Sequence, residues 1–204
     1  MAAVTDRAEL ERLRRKLAAV SRRAYRLGLA PGISGNLSCR VPGQDRVLIK
    51  ATGMSLGQLT ARHVLLMDLE GNLVEESELR PSKERFFHLE VYRRRPDVGA
   101  VVHLHPPYAL VFAAARQLPP LHTGAARTFL GGRLSLVPPA PSGSRELAEA
   151  VGEALGSPGM RAAILAEHGT VTVGADLEEA LYLSEYLEDA CRTALWLRLL
   201  GEAR

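Results

Sequence analysis

The run Val101-Val102-His103-Leu104-His105-Pro106 places two imidazoles at positions i and i+2 of an apolar, β-branched stretch. Side chains two apart on a strand leave the same face, so both rings reach one point in space. Leu104 between them then faces the other way, into the core. Convergent imidazoles suit a divalent transition metal, and a catalytic zinc takes three protein ligands while keeping one position open. The chain has six histidines, so a third ligand comes from His63, His88, His122 or His168. His168 fits best, because it follows the apolar run Ala162-Ala163-Ile164-Leu165-Ala166 and precedes Gly169. A histidine at a strand end beside a tight turn is held rigidly and faces an opening. His63 and His88 flank polar segments and read as surface or helix residues.

Glu84, in Pro81-Ser82-Lys83-Glu84, lies in the first turn of an expected helix. A carboxylate there is a favourable partner for the helix dipole, and equally a candidate acid or base beside the metal. Three further segments, Gly35-Asn36, Thr52-Gly53 and Ser82-Lys83, combine small or hydroxyl side chains with free backbone N–H groups. Such turns and helix starts hold phosphate. All three precede the His103–His105 pair.

The remaining composition narrows the class. With 204 residues, 47% hydrophobic and 24% charged, the chain is expected to form one globular domain over 1–204. No apolar run reaches the ~18 residues of a membrane span. The start Met1-Ala2-Ala3-Val4-Thr5-Asp6 lacks a signal-peptide core, so the expected compartment is the cytoplasm. Cys39 and Cys191 form no CxxC pair, which excludes a thiolate zinc site, and both read as core residues. The formal charge of +3 gathers in Arg12, Arg14, Arg15, Lys16, Arg22, Arg23 and Arg26. These share a stretch whose leucines keep helical spacing, and without aromatic interleaving they form a solvated helix face, not a nucleic-acid footprint.

To position these groups the chain must alternate short strands with helices. The pattern predicts a helix over 6–27, strands at 37–41 and 47–50, and a hairpin of 64–69 with 73–75. A helix capped by Ser82 runs to about Arg94, a strand over 98–105 stops at Pro106-Pro107, and a helix covers 108–116. A Pro/Gly-rich stretch then holds a short strand at 134–137. A helix at 146–155, strands at 162–166 and 170–173, and a last helix over 176–200 follow. Hairpins with helices at intervals predict an α/β fold, three-layer α/β/α, with a central mixed, mostly antiparallel sheet flanked by helices.

Taken together, Ser34-Gly35-Asn36-Leu37-Ser38, Ala51-Thr52-Gly53, Pro81-Ser82-Lys83-Glu84, His103-Leu104-His105 and His168-Gly169 resemble the class II sugar-phosphate aldolase family of the aldolase/adducin superfamily. The likeness runs from about Leu10 to Leu200 and is nearest to the fuculose-phosphate branch, with Gly143-Ser144-Arg145-Glu146-Leu147 pointing the same way. It implies one Zn2+ per subunit on His103, His105 and His168, with Glu84 as a further ligand or as the acid/base. It implies substrate phosphate held by Gly35, Asn36, Thr52, Gly53, Ser82 and Lys83. It also implies a homotetramer with active sites at subunit interfaces, cleaving a ketose 1-phosphate to dihydroxyacetone phosphate and a short hydroxyaldehyde such as lactaldehyde.

Lys83 stands where family members carry a second serine, and a lysine meets phosphate as a point charge. Thr123 follows Leu121-His122 where the fuculose-phosphate branch has a tyrosine, and that branch's C-terminal tyrosine tail has no counterpart before Arg204. The epimerase branch has aspartate in place of Glu84. Two alternatives remain beside the aldolase: a methylthioribulose-1-phosphate dehydratase and an adducin-like binding module without catalysis.

Overall fold

A computed structural model of the protein describes residues 7–201. Its strands are β1 (Asn36–Arg40), β2 (Arg46–Lys50), β3 (Val64–Asp68), β4 (Ala100–Leu104), β5 (Leu134–Val137), β6 (Ala162–Leu165) and β7 (Gly169–Gly174). They form one sheet in the order β3-β2-β1-β4-β7-β6-β5. Only the β5–β6 pair is parallel, so the sheet is mixed and mostly antiparallel, as the hairpin spacing predicts. The helices are α1 (Arg7–Arg26), α2 (Arg85–Arg94), α3 (Pro107–Ala114), α4 (Gly124–Leu130), α5 (Arg145–Gly156) and α6 (Leu177–Leu199).

Strand alternation decides which helix each side chain meets. Leu37, Cys39, Leu48, Val102 and Leu104 turn to one face, where they pack on Leu13 and Leu17 of α1 and Leu177 and Leu181 of α6. Val47, Ile49, Val101, Val171 and Val173 turn to the other, against Phe87, Leu89 and Val91 of α2 and Leu147 and Val151 of α5. The result is the three-layer α/β/α arrangement. Each fully buried side chain such as Leu17 contributes about 1.5–3 kcal/mol of burial. Cys39 and Cys191 are both buried thiols. No helix among the described residues is long and apolar enough to cross a membrane.

Asp6, the expected first residue of the opening helix, lies outside the described residues. Three local expectations are revised. Leu73 makes only an isolated bridge to Met67, so 73–75 is no strand. The Pro/Gly-rich stretch contains α4, capped by Thr123, whose hydroxyl accepts the Ala126 N–H; seven residues beside prolines show too little periodicity to read. Ser82 does not cap α2, which starts at Arg85 with Glu84 in the cap position. The Ser82 N–H is bonded to Lys50 O and Pro81 bridges Ala51, so 81–82 stay extended against β2 and the helix begins three residues later.

Candidate metal centre

β4 lies inside the sheet, and His103 on it sits opposite Asn36 of β1 and Val171 of β7. Its ring turns to the α2 side and is fully buried. His105 follows the strand, tied down by its own N–H to Leu29 O at 3.0 Å. His168 arrives from the β6–β7 turn. That turn is demanding: Glu167 has φ of 60°, and its side chain accepts from Arg116 Nε at 2.9 Å. A Cβ on Gly169 would lie 2.6 Å from Leu104 O and 2.7 Å from His105 Cδ2, so only glycine lets the histidines close up. The ligand nitrogens of His103, His105 and His168 all lie within 4.8 Å of one another. His122 is exposed and His63 bonds locally to Thr60, so neither belongs to the cluster. Leu104 points into the opposite core, as alternation requires.

The protonation pattern tests whether a cation fits. Thr170 O accepts from His103 Nδ1 at 2.9 Å, which leaves neutral His103 a lone pair at Nε2. That atom faces His105 Nε2 at 3.0 Å and Glu84 Oε2 at 3.1 Å. Glu84 Oε1 is 2.9 Å from His168 Nε2. Lone pairs and a carboxylate converging on one point repel one another unless positive charge, as ring protons or as a cation, sits among them. Three imidazoles and a carboxylate are a donor set suited to a divalent transition metal, and the Thr170 contact orients one ligand from behind.

Glu84 is gripped from two sides. Its Oε2 accepts from Asn36 Nδ2 at 2.9 Å, and its Oε1 accepts from Ser142 Oγ at 2.7 Å. Burial opposes its charge, but His103, His168 and the Ser142 hydroxyl hold the carboxyl well below the usual range. Burial, with His103 and His168 nearby, pushes His105 down to about 3.

The three segments expected to hold phosphate come together beside this carboxylate. Main-chain bonds join Ser82 N–H to Lys50 O and Thr52 N–H to Arg80 O. Lys50 Nζ donates to Gly35 O at 3.0 Å and to Ile33 O at 3.2 Å. Gly35 has φ of +74°, and a Cβ there would press on His103 O at 3.0 Å. Gly35, Asn36 and Ser82 are buried, whereas Thr52, Gly53 and Lys83 are exposed.

Sequence reasoning missed three residues of this region. His88 is on a helix but fully buried, bonded to Asn36 and Ser38, and its surface reading is corrected; burial pushes it down to about 3. The usable signal was its spacing of four from Glu84. Lys50 ends an apolar strand and is buried, with its amine pushed down to about 8 by that burial. Ser142 lies in the Pro139–Ser144 loop, and no local pattern marks it. A Cβ on its neighbour Gly143 would come within 3.0 Å of Lys83 O, so this loop sits directly on the start of α2.

The fold and the centre define an α/β protein with a partly buried three-histidine, one-carboxylate cluster where the central strands give way to loops. Residues 15–195 match the family described as Class II Aldolase and Adducin N-terminal domain, and the chain belongs to that family. It is 35% identical over 190 residues to the 3-oxo-tetronate 4-phosphate decarboxylase of Haemophilus influenzae, covering 90% of this chain and 86% of the relative. It is also 35% identical over 181 residues to the L-fuculose phosphate aldolase of Escherichia coli, covering 88% and 81%. The crystal structure of L-fuculose-1-phosphate aldolase from Thermus thermophilus superposes with a TM-score of 0.80 at 31% identity, covering 97% of this chain and 98% of that one.

Proposed function

We propose that the protein is a metal-dependent aldehyde-lyase that cleaves a ketose 1-phosphate, of the L-fuculose 1-phosphate type, to dihydroxyacetone phosphate and a short hydroxyaldehyde. The observation that carries this reading is the Glu84 carboxylate, held by Asn36 and Ser142 with one oxygen against His103 and the other against His168. His103, His105 and His168 would hold the ion, zinc in this reading, with Glu84 close enough to be a further ligand. When bound, the ion supplies Lewis acidity for charge developing on the substrate oxygens, an effect of several kcal/mol.

Cleavage breaks a C–C bond and leaves its electron pair beside a carbonyl, where it is stored as an enediolate. In cleavage the departing hydroxyl sheds a proton as it becomes the aldehyde; the Glu84 carboxylate takes up one proton by way of solvent and delivers it to that carbon, and in synthesis it removes it. Gly35, Asn36, Thr52, Gly53, Ser82 and Lys83 hold the phosphate and so fix the reacting carbons relative to Glu84. Their support is the main-chain and Lys50 side-chain bonding that gathers the three segments beside that carboxylate. The reading extends to a cytoplasmic homotetramer with sites at subunit contacts, which light scattering of the purified protein checks.

A second reading, decarboxylation of a 3-oxo acid phosphate, is favoured by the 35% identity to the Haemophilus influenzae decarboxylase. Both reactions leave an electron pair beside a carbonyl, so one centre suits either. The test offers purified, zinc-loaded protein L-fuculose 1-phosphate with a coupled dihydroxyacetone-phosphate assay. Parallel samples receive 3-oxo-tetronate 4-phosphate, read as CO2, and methylthioribulose 1-phosphate, read as loss of water. Turnover in the first assay is expected; silence there with turnover in another reassigns the reaction.

A further inference from the structure

Glu84, His88 and Tyr92 recur every four residues and share one face of α2. Asn36 and Ser38 are two apart on β1 and share the sheet face turned towards it. Four helical residues rise ~6 Å and two strand residues ~6.6 Å, so the two rows mesh as alternating teeth. The order is Glu84, Asn36, His88, Ser38, Tyr92. Asn36 Nδ2 lies 2.9 Å from Glu84 Oε2, and His88 Nε2 bonds Asn36 Oδ1. Ser38 Oγ lies 2.7 Å from His88 Nδ1 and 2.8 Å from the Tyr92 hydroxyl. No member is more than 6% exposed, so water completes none of these bonds.

Donor and acceptor capacity gives this chain one direction. An ionised Glu84 only accepts, so Asn36 turns its NH2 to Glu84 and its Oδ1 to His88. His88 therefore donates from Nε2, and its neutral ring accepts at Nδ1 from the Ser38 hydroxyl. The Ser38 oxygen in turn accepts from Tyr92. Every proton in the row points towards Glu84, and in a dry interior such bonds polarise one another. Folding by itself does not call for this arrangement: apolar side chains of similar volume at 88 and 92 would fill the space without burying polar groups.

We propose that His88 is a positioning residue of the reaction, acting through Asn36 and backed by Ser38 and Tyr92 to hold the Glu84 carboxylate in the orientation its proton transfer requires. The proposal rests on the reading of Glu84 as acid/base. His88, Ser38 and Tyr92 lie behind Asn36 and bond to none of the cluster's nitrogens, so they govern turnover, leave metal content alone and move KM far less than kcat.

Long-range 1H–15N spectra of the zinc-loaded full chain read the His88 tautomer without any substrate. The Nε2–H form is expected, and an Nδ1–H form overturns the proposal. Kinetics of His88→Leu, His88→Gln and Tyr92→Phe then separate positioning from packing. Misplacing a reacting group by about 1 Å costs ~100-fold, so His88→Leu is expected to lose about that much kcat with zinc per chain unchanged and KM moved far less than kcat. Gln keeps an N–H for Asn36 Oδ1 and is expected to recover most of the loss, while Tyr92→Phe loses about two- to threefold. Wild-type kcat in His88→Leu, or no recovery in His88→Gln, overturns the proposal. Should His88→Leu fail to fold, Ser38→Ala takes its place, with about a tenfold loss expected and no loss overturning. A wild type that turns over none of the three substrates removes the acid/base reading itself; a working wild type with indifferent variants removes this proposal alone.

Discussion

Two buried polar clusters occupy the two ends of α2, and they are built on opposite rules. At the far end, the Arg95 guanidinium meets both Asp97 oxygens at 2.7 Å and the carbonyls of Leu155, Ser157 and Met160 at 2.9 to 3.2 Å. Each of its nitrogens has an acceptor, and the cluster clips the end of α5 to the end of α2. At the near end, His103 and His105 present nitrogens to each other and to a carboxylate, and His168 Nδ1 is buried without a partner. A charge whose partners are complete stabilises a fold, whereas convergent donors lacking positive charge mark a binding site.

The sharpest way to break this contrast is His103→Ala, expected to lose bound zinc and all measurable turnover while the protein stays folded. Unchanged zinc by elemental analysis would sink the metal centre. Next is Glu84→Gln, expected to retain most of the metal and lose ~10²–10⁴-fold in kcat, as removal of a general acid/base does. A fully active Gln variant would remove the proton-transfer role. At the other end, Arg95→Met is expected to lower unfolding free energy by about 3 kcal/mol, through carbonyls left unpaired, with zinc content untouched. Urea titration and metal analysis of the same sample check both halves.

Lys50, at the Glu84 end, gives a pH test. Its folded pKa is pushed down to about 8 from 10.5, so between those values the unfolded chain binds more protons. The Lys50 contribution to stability therefore rises with pH in this window, by about 2 kcal/mol from pH 8 to 10. Across that window the unfolding free energy of the wild type, from denaturant titration, should gain about that much on Lys50→Met, a difference in which the opposing titration of the buried thiols Cys39 and Cys191 cancels. A smaller effect is expected of Ser142→Ala, about tenfold in kcat, since Glu84 keeps its Asn36 bond. A loss as large as that of Glu84→Gln would make Ser142 an equal partner.

Legibility followed the range over which each signal acts. The strands around His103 and Ala162–Leu165, and the helices at both ends of the described chain, have local periodicity strong enough to read. The His103–His105 pair was visible because two residues on one strand need no tertiary information to converge. α4 and the late start of α2 were not legible, since a seven-residue helix has little period and the second depends on Ser82 bonding to Lys50 across the chain.

Residue types and short spacings thus determined by themselves the pair of imidazoles, the candidate acid and the mostly antiparallel α/β plan. Which distant groups meet was decided only in three dimensions. The choice of His168 became a geometry when Gly169 and the left-handed Glu167 turned its ring into the cluster. His88 looked like a surface or helix residue until α2 packed on β1 and aligned a four-residue helical repeat with a two-residue strand repeat. Ser142 reached Glu84 from 58 residues away. Hydrogen bonds act over about 3 Å whatever the separation in sequence, so only the packed chain can reveal which polar groups they join.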